Sequence, residues 1–176
     1  MADLDPIFAR RVRLTRSFLG ASLPPPARLF DLGTDNPMAR QLRSDGYEVL
    51  NTGGEDLDDV PEVASGDADA VTAFEILEHL VNPLGVLRAI RAPRLFASVP
   101  LRLWFASAYR NPSDPWDRHY HEFEDWQFDW LLDKAGWDIV RTERWTNPAT
   151  HYPIGIRPIL RRFVPRWYMV EARRRV

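Results

Sequence analysis

The sequence predicts an α/β sandwich, a mostly parallel sheet with an antiparallel edge held between helix layers. Two observations carry this. Between residues 28 and 135, short apolar runs alternate with segments of helical period, the pattern of strands joined by helical crossovers. Residues 137–144 and 166–173 then alternate with period two and have no long helix between them. Such a pair favours an antiparallel edge.

Element by element, residues 5–19 read as a helix with Phe8, Val12, Thr15 and Leu19 on one stripe. Arg10, Arg11, Arg13 and Arg16 lie mostly elsewhere, and Pro24-Pro25-Pro26 closes the segment. Residues 29–32 are expected as a strand. Residues 37–45 follow as a helix, with Asn36 or Asp35 as cap and Pro37 in the first turn. Strands are expected at 47–51 and 70–74, and a helix from about residue 75 to 90. "RLFASVPL" (94–101) is a buried strand ended by Pro100. A loop rich in Pro and Trp leads to a helix over 124–135, stopped by Gly136. Trp126, Trp130 and Trp137 are expected in the core; Trp104 and Trp116 stand in loop context, where stacking on a sugar or ring is open, though core packing is the favoured reading for either one. The basic stretch from residue 154 onward is expected to pack a short helix on the sheet before the last strand. A weak contact with an anionic membrane surface or carrier is its open alternative.

Length and composition bound the function. A chain of 176 residues suits one domain over 1–176, with an N-terminal helix (1–23), a core (28–145) and a C-terminal helix and strand region (146–176). With 45% hydrophobic and 27% charged residues and a net charge of -2, neither disorder nor bulk nucleic-acid affinity is expected. There is no cysteine, which excludes disulfides and thiolate-held metals. The first twenty residues lack an uninterrupted apolar stretch and no segment suits a bilayer span, so the expected location is cytoplasmic. Between Ser44 and Leu87 the chain has acids but no lysine or arginine. Two readings stand open: a solvated face, or a wall around a cationic ligand.

In sheets of this kind, ligands sit at the carboxyl ends of the strands. That puts "RLFDLGTDNPMARQL" (28–42) and the stretch after Phe74 on one rim. A dinucleotide would need close glycine contact and bare helix-end amides for its pyrophosphate. Of those glycines only Gly33 is present, and Asp35 would repel a phosphate.

Four stretches, "RLFDLGT", "DADAVTAFEILEHLVNP", "LFASVPL" and "HYHEFEDWQFDWLLDKAGWDIV", in this order resemble the class I S-adenosylmethionine-dependent methyltransferases, in particular their small type 11/23 branch. The resemblance covers most of residues 28–145. It implies a Rossmann-like methyltransferase sandwich, shortened between the second and fourth strands. It also implies S-adenosylmethionine as cofactor, S-adenosylhomocysteine as product, and cofactor contacts at Asp31, Leu32, Gly33, Thr34, Asp56, Leu57, Phe74 and Glu75. The chain departs from the pattern at Asp35 and Pro37, where glycines are usual. It departs again at Gly53, where an acid normally grips the ribose hydroxyls; Glu55 or Asp56 could substitute only if the backbone swings. The acceptor implied is a small molecule or a carrier-linked sugar or lipid precursor, with no nucleic acid. A non-catalytic binding or scaffold protein that has lost the cofactor is the alternative.

His119 and His121 alternate along an extended segment and face the same way. A structural role, fixing the loop before the helix at Glu124, is the favoured reading; they are also the candidate catalytic bases on the acceptor side. Beside them neither Asp117 nor Glu122 has helpful spacing, so no metal site is expected. For Glu78 and His79, capping or packing is the favoured role.

Overall fold

A computed structural model describes residues 5–147 and 155–175. The strands are β1 (Arg28–Asp31), β2 (Glu48–Asn51), β3 (Ala70–Phe74), β4 (Arg94–Pro100), β5 (Trp137–Thr146) and β6 (Pro165–Arg174). The helices are α1 (Pro6–Ser22), α2 (Pro37–Ser44), α3 (Pro83–Ala89), α4 (Asp125–Ala135) and α5 (Ile156–Leu160). One sheet contains all these strands, in the order β2-β1-β3-β4-β6-β5. Neighbours among β1 to β4 pair parallel, and β6 runs antiparallel to both β4 and β5. The parallel sheet with an antiparallel edge is as expected. So is the short middle, where a single 3-10 turn, Pro61–Ser65, lies between β2 and β3.

Strand β4 shows why the sheet is a middle layer. Its inner residues are buried on both faces, as in a crossover-covered parallel sheet. Leu95, Ala97 and Val99 enter one core with Val86 and Leu87 of α3 and Phe128 and Leu132 of α4. Phe96 points the other way, into a core with Phe18 and Leu19 of α1 and Met38 and Leu42 of α2. Register sets Glu171 opposite Phe96. That buried carboxylate is held by Arg94 and by the Ser22 hydroxyl at 2.7 Å, so its charge is paired.

Three expectations need correction. The segment 75–90 is not one helix: a 3-10 turn at Leu77–His79 is separated from α3 by Asn82, whose side chain accepts from the Gly85 N–H. An Asn-Pro pair starts a helix rather than continuing one, which divides the segment. Trp126 and Trp130 are 44% and 69% exposed, while Trp137 is buried. Spaced four apart on α4, the two exposed indoles meet each other on the face opposite Phe128 and Leu132. Finally, α5 exists but buries none of its residues fully, and Ile156, Ile159 and Phe163 are exposed.

Local chemistry explains α4. Glu124 and Gln127 form a reciprocal capping box, and Gly136 ends the helix with a φ of 91°. No described helix is long and apolar enough to cross a membrane.

Candidate functional site

β1 lies between β2 and β3, and its last residue, Asp31, is buried. The carboxylate ties three elements together. It accepts from the Thr72 hydroxyl of β3 at 2.5 Å, from the Asn51 amide of β2 at 3.0 Å, and from Asn36 at 3.3 Å. Burial pushes this carboxyl up to about 6, although those donors pull it down. Gly33 follows with a φ of 122°, open only to glycine. Its N–H donates to the Thr52 hydroxyl at 2.8 Å, and its carbonyl accepts from Asn51 at 3.0 Å. The α2 cap is equally committed, since Asn36 accepts from the Met38 and Ala39 N–H groups at 2.9 and 3.0 Å. Asp35 pairs with Arg40 and Arg43 on the exposed side of α2. A pyrophosphate would find the helix-end amides already taken, which removes the basis of dinucleotide binding.

Beside this turn, the carboxyl ends of β1, β2 and β3 open into a cavity of about 810 Å³. Its walls carry Glu55, Asp56, Asp58, Asp59, Glu75, Asp114 and Asp117 and, among the described residues, no lysine or arginine. Such a wall suits a cation. Asp58 is partly spent, accepting from the Val81 and Asn82 N–H groups at 2.7 Å each. Glu55 folds back to accept from the Gly53 N–H at 2.7 Å. A Cβ on Gly53 would stand 2.8 Å from the Glu55 Oε1, so the Glu55 carboxylate occupies the space beside Gly53. Ile76 closes over the first turn, its Cδ1 3.2 Å from where a Gly33 Cβ would be.

Glu75 borders this cavity and a smaller one of about 230 Å³ that reaches Arg11, Asp31, Phe74 and Ser98. Its φ of 57° is unusual for a residue with a side chain. The carboxylate is fixed by the Ser98 hydroxyl at 2.8 Å, the Trp167 indole N–H at 3.0 Å and Arg11 at 3.3 Å.

Across the large cavity, the loop after β4 returns to the 3-10 turn at Leu77–His79. The Glu78 carbonyl accepts from the Tyr120 and His121 N–H groups at 2.8 and 3.2 Å. His79 Nδ1 faces the Arg118 carbonyl at 3.1 Å. His119 packs edge-on to His79, with ring centres 4.7 Å apart, and lies 4.3 Å from the Tyr109 ring. Burial, then the neighbouring His79, pushes the His119 imidazole down to about 4. Burial, then the repulsion of Glu75, holds the Glu78 carboxyl well above the ordinary range. Asp117 sits below its usual value because it accepts from the Tyr109 hydroxyl and then the Asn111 amide.

The structure therefore separates residues that the sequence grouped. Gly33, Thr34, Asp56 and Leu57 line the large cavity, Asp31, Leu32 and Phe74 line the smaller one, and Glu75 lines both. His121 stacks on Phe123 and directs Nε2 at the Val81 carbonyl, 3.3 Å away. His119 joins His79 and Glu78 instead of His121. Ile76 was not singled out by sequence; Glu55 was, with Asp56, as a substitute for the acid absent at Gly53 on condition that the backbone swings, and it is Glu55 that folds back.

No protein-family model matches the chain, and no curated protein does. Solved structures do. A Burkholderia thailandensis 1,6-didemethyltoxoflavin-N1-methyltransferase, solved with S-adenosylhomocysteine, superposes with a TM-score of 0.66 at 18% identity, covering 94% of this chain and 78% of that one. A putative S-adenosylmethionine-dependent methyltransferase from Listeria monocytogenes gives 0.63 at 12% identity, covering 96% and 100%. The [4+2]-cyclase SpnF gives 0.59 at 14% identity, covering 94% and 82%. The chain has the Rossmann-like α/β fold of the class I methyltransferases. A cyclase on the same fold shows that the site, not the fold, must carry the functional argument.

Proposed function

We propose that the chain is an S-adenosylmethionine-dependent methyltransferase whose cofactor occupies the cavity of about 810 Å³. The observation that carries this is the pairing of Gly53 with Glu55. The carboxylate missing from residue 53 is returned by the side chain two positions on, at 2.7 Å from the Gly53 N–H. Its two oxygens suit the paired hydroxyls of a ribose. The acid-lined, arginine-free wall suits a sulfonium, and Gly33 and Thr34 offer a turn without bulk at its edge. Bound there, the cofactor would supply an electrophilic methyl group for in-line transfer to an acceptor nucleophile.

On the acceptor side, the loop from Trp104 to Phe123 presents exposed Trp104, Trp116 and Tyr120. An acceptor that is a small molecule or a carrier-linked sugar or lipid precursor would stack there. His121 is the proposed proton acceptor. A ring nitrogen facing a carbonyl must donate, so Nε2 carries the proton toward Val81 and Nδ1 keeps the lone pair. His119 supports the same loop from its place against His79.

A second reading rests on a specific observation: Ile76 stands over Gly33, and the Gly33 N–H and carbonyl are both bonded internally. A turn so filled suits a protein that keeps the fold as a binding scaffold without the cofactor. Calorimetry with S-adenosylmethionine and S-adenosylhomocysteine separates the two. The methyltransferase reading expects saturable heat that Glu55→Ala weakens by more than about tenfold, the loss of a charge-assisted pair. No heat and no thermal shift at millimolar ligand would establish the scaffold.

A further inference from the structure

We propose that Glu78, His79 and His119 form a site for a divalent transition-metal ion, with zinc chemistry as its type. Each side chain offers one ligand atom, and the three atoms lie within 4.8 Å of one another. The residues come from two loops forty residues apart, and the fold, not local spacing, brings them together. This inference does not depend on cofactor binding.

Two of the donors have no other use among the described residues. Glu78 is 1% exposed, and its Oε2 has no hydrogen-bond partner. The Nδ1 atom of His119 is also buried without a partner. An unmatched carboxylate oxygen and an unmatched imidazole nitrogen on two residues of one cluster are costly to a protein that gains nothing from them. A cation satisfies both at once. One unmatched atom would be an accident of packing; two of complementary ligand type, converging with a third, define a site.

The third donor is already oriented. His79 Nδ1 faces the Arg118 carbonyl at 3.1 Å and must donate to it, which leaves the Nε2 lone pair free. That Nε2 lies 3.8 Å from Glu78 Oε1. A backbone carbonyl holding the far nitrogen of a ligand histidine is the usual supporting contact of a metal site. Donors around a tetrahedral zinc stand about 3.4 Å apart, given bonds of about 2.1 Å. The trio is slightly open and needs side-chain movement rather than backbone change to close.

The frame around it is firm. The Tyr120 and His121 N–H groups bind the Glu78 carbonyl, which pins the His119 segment to the turn that carries Glu78 and His79. Tyr109 covers the His119 ring, and its hydroxyl is anchored on Asp117. Access exists from both sides. His79 lines the large cavity, and His119 lines a neighbouring one of about 400 Å³. Two imidazoles and one carboxylate select zinc, cobalt or iron(II) over magnesium or calcium, which prefer all-oxygen shells. Three protein ligands leave further positions for water or substrate, the arrangement of an open site.

The test uses the whole chain freed of metal by a chelator and then titrated with zinc, with cobalt(II) as a spectroscopic stand-in. One zinc per chain should bind, raise the melting temperature, and compete with cobalt whose visible bands report nitrogen and oxygen ligation. His79→Ala and His119→Ala should each weaken zinc by more than about tenfold, and Glu78→Gln should do the same while circular dichroism confirms the fold. His121→Ala, outside the trio, should keep the stoichiometry and the cobalt bands. If a variant does not fold, the other two decide. Absence of a one-to-one zinc complex in the unaltered chain overturns the proposal. So does binding that persists in the folded His79→Ala/His119→Ala double variant, because the ion would then sit on the exposed acids.

Discussion

The turn after β1 and the cluster at Glu78 stand on the same rim of the sheet, yet they use their polar atoms in opposite ways. In the turn, the Asp31 carboxylate has three side-chain donors, and both backbone groups of Gly33 are bonded within the chain. Across the cavity, Glu78 Oε2 and His119 Nδ1 are buried with no partner among the described residues. The first region resembles a ligand loop in sequence but behaves as a structural knot. The second carries no recognisable spacing but leaves donor atoms open. On the proposal of a metal at this cluster, it is the unspent bonding capacity of Glu78 and His119 together, more than a glycine pattern, that prepares a ligand site.

The largest expected effect tests the knot through pH. An unfolded aspartate titrates near 3.9, whereas burial raises Asp31 in the fold to about 6. Between those values the folded chain holds more protons than the unfolded one. The Asp31 contribution to stability therefore falls as pH rises from about 4 to about 6 and stays lowered above that, by about 3 kcal/mol in all. Urea unfolding of the native chain and of Asp31→Asn at pH 4 and pH 7 measures it. The native chain should lose that amount relative to the variant. A pH-independent difference would mean that Asp31 is solvated or held by a cation, and the knot would dissolve as an explanation.

Two substitutions of opposite sign sharpen the contrast further. Thr72→Val removes the closest donor to Asp31 and leaves a buried carboxylate short of a bond, at a cost of about 2 kcal/mol. Glu78→Met replaces an unmatched carboxylate with an apolar chain of similar length. In the presence of a chelator it should raise stability by about 1 kcal/mol. Chemical denaturation of both variants reads the comparison directly. If Glu78→Met destabilises the metal-free chain as Thr72→Val does, the cluster is an ordinary packed polar group and the two regions are alike.

The fold was largely legible because its signals are local. β3 falls on residues 70–74 as its apolar run predicts, and Asn36 caps α2 with Pro37 in its first turn. Sequence failed where neighbours decide. Helical period placed Trp126 and Trp130 on one stripe but could not say which stripe of α4 meets the sheet, and Phe128 and Leu132 took that place. The run 75–90 has an apolar content that hides the Asn82-Pro83 start within it. At the site, the rim was predictable from strand order, and five of the expected cofactor contacts line the large cavity. For the acid absent at Gly53 the sequence offered Glu55 or Asp56 and could not choose between them, because the choice depends on how the loop doubles back. The trio of Glu78, His79 and His119 was hidden for a simpler reason. Its members are adjacent only once the loop after β4 has crossed to the turn after β3.

The smallest expected effect concerns the residue that looked most disruptive in the sequence. Asp35 stands where the resemblance to the methyltransferases leads one to expect a glycine, and it would bring a charge beside a bound cofactor's carboxylate or ammonium. In the structure its side chain leaves that place and pairs with Arg40 and Arg43 along α2. Arg43 in turn binds the Val49 carbonyl at the start of the β2 carboxyl end, so the aspartate serves the surface of the α2–β2 corner. Exposed pairs of this kind contribute little to stability and are screened by salt. Asp35→Ala should therefore leave the melting temperature nearly unchanged at moderate ionic strength. It should also leave the heat of S-adenosylhomocysteine binding unaltered, while Glu55→Ala, measured beside it, weakens that binding. A change in ligand affinity on Asp35→Ala would show that the turn reorganises around the ligand, with Asp35 released from its arginines to face it. The knot would then be a resting arrangement of the site, and the difference between the two regions would be one of state and not of kind.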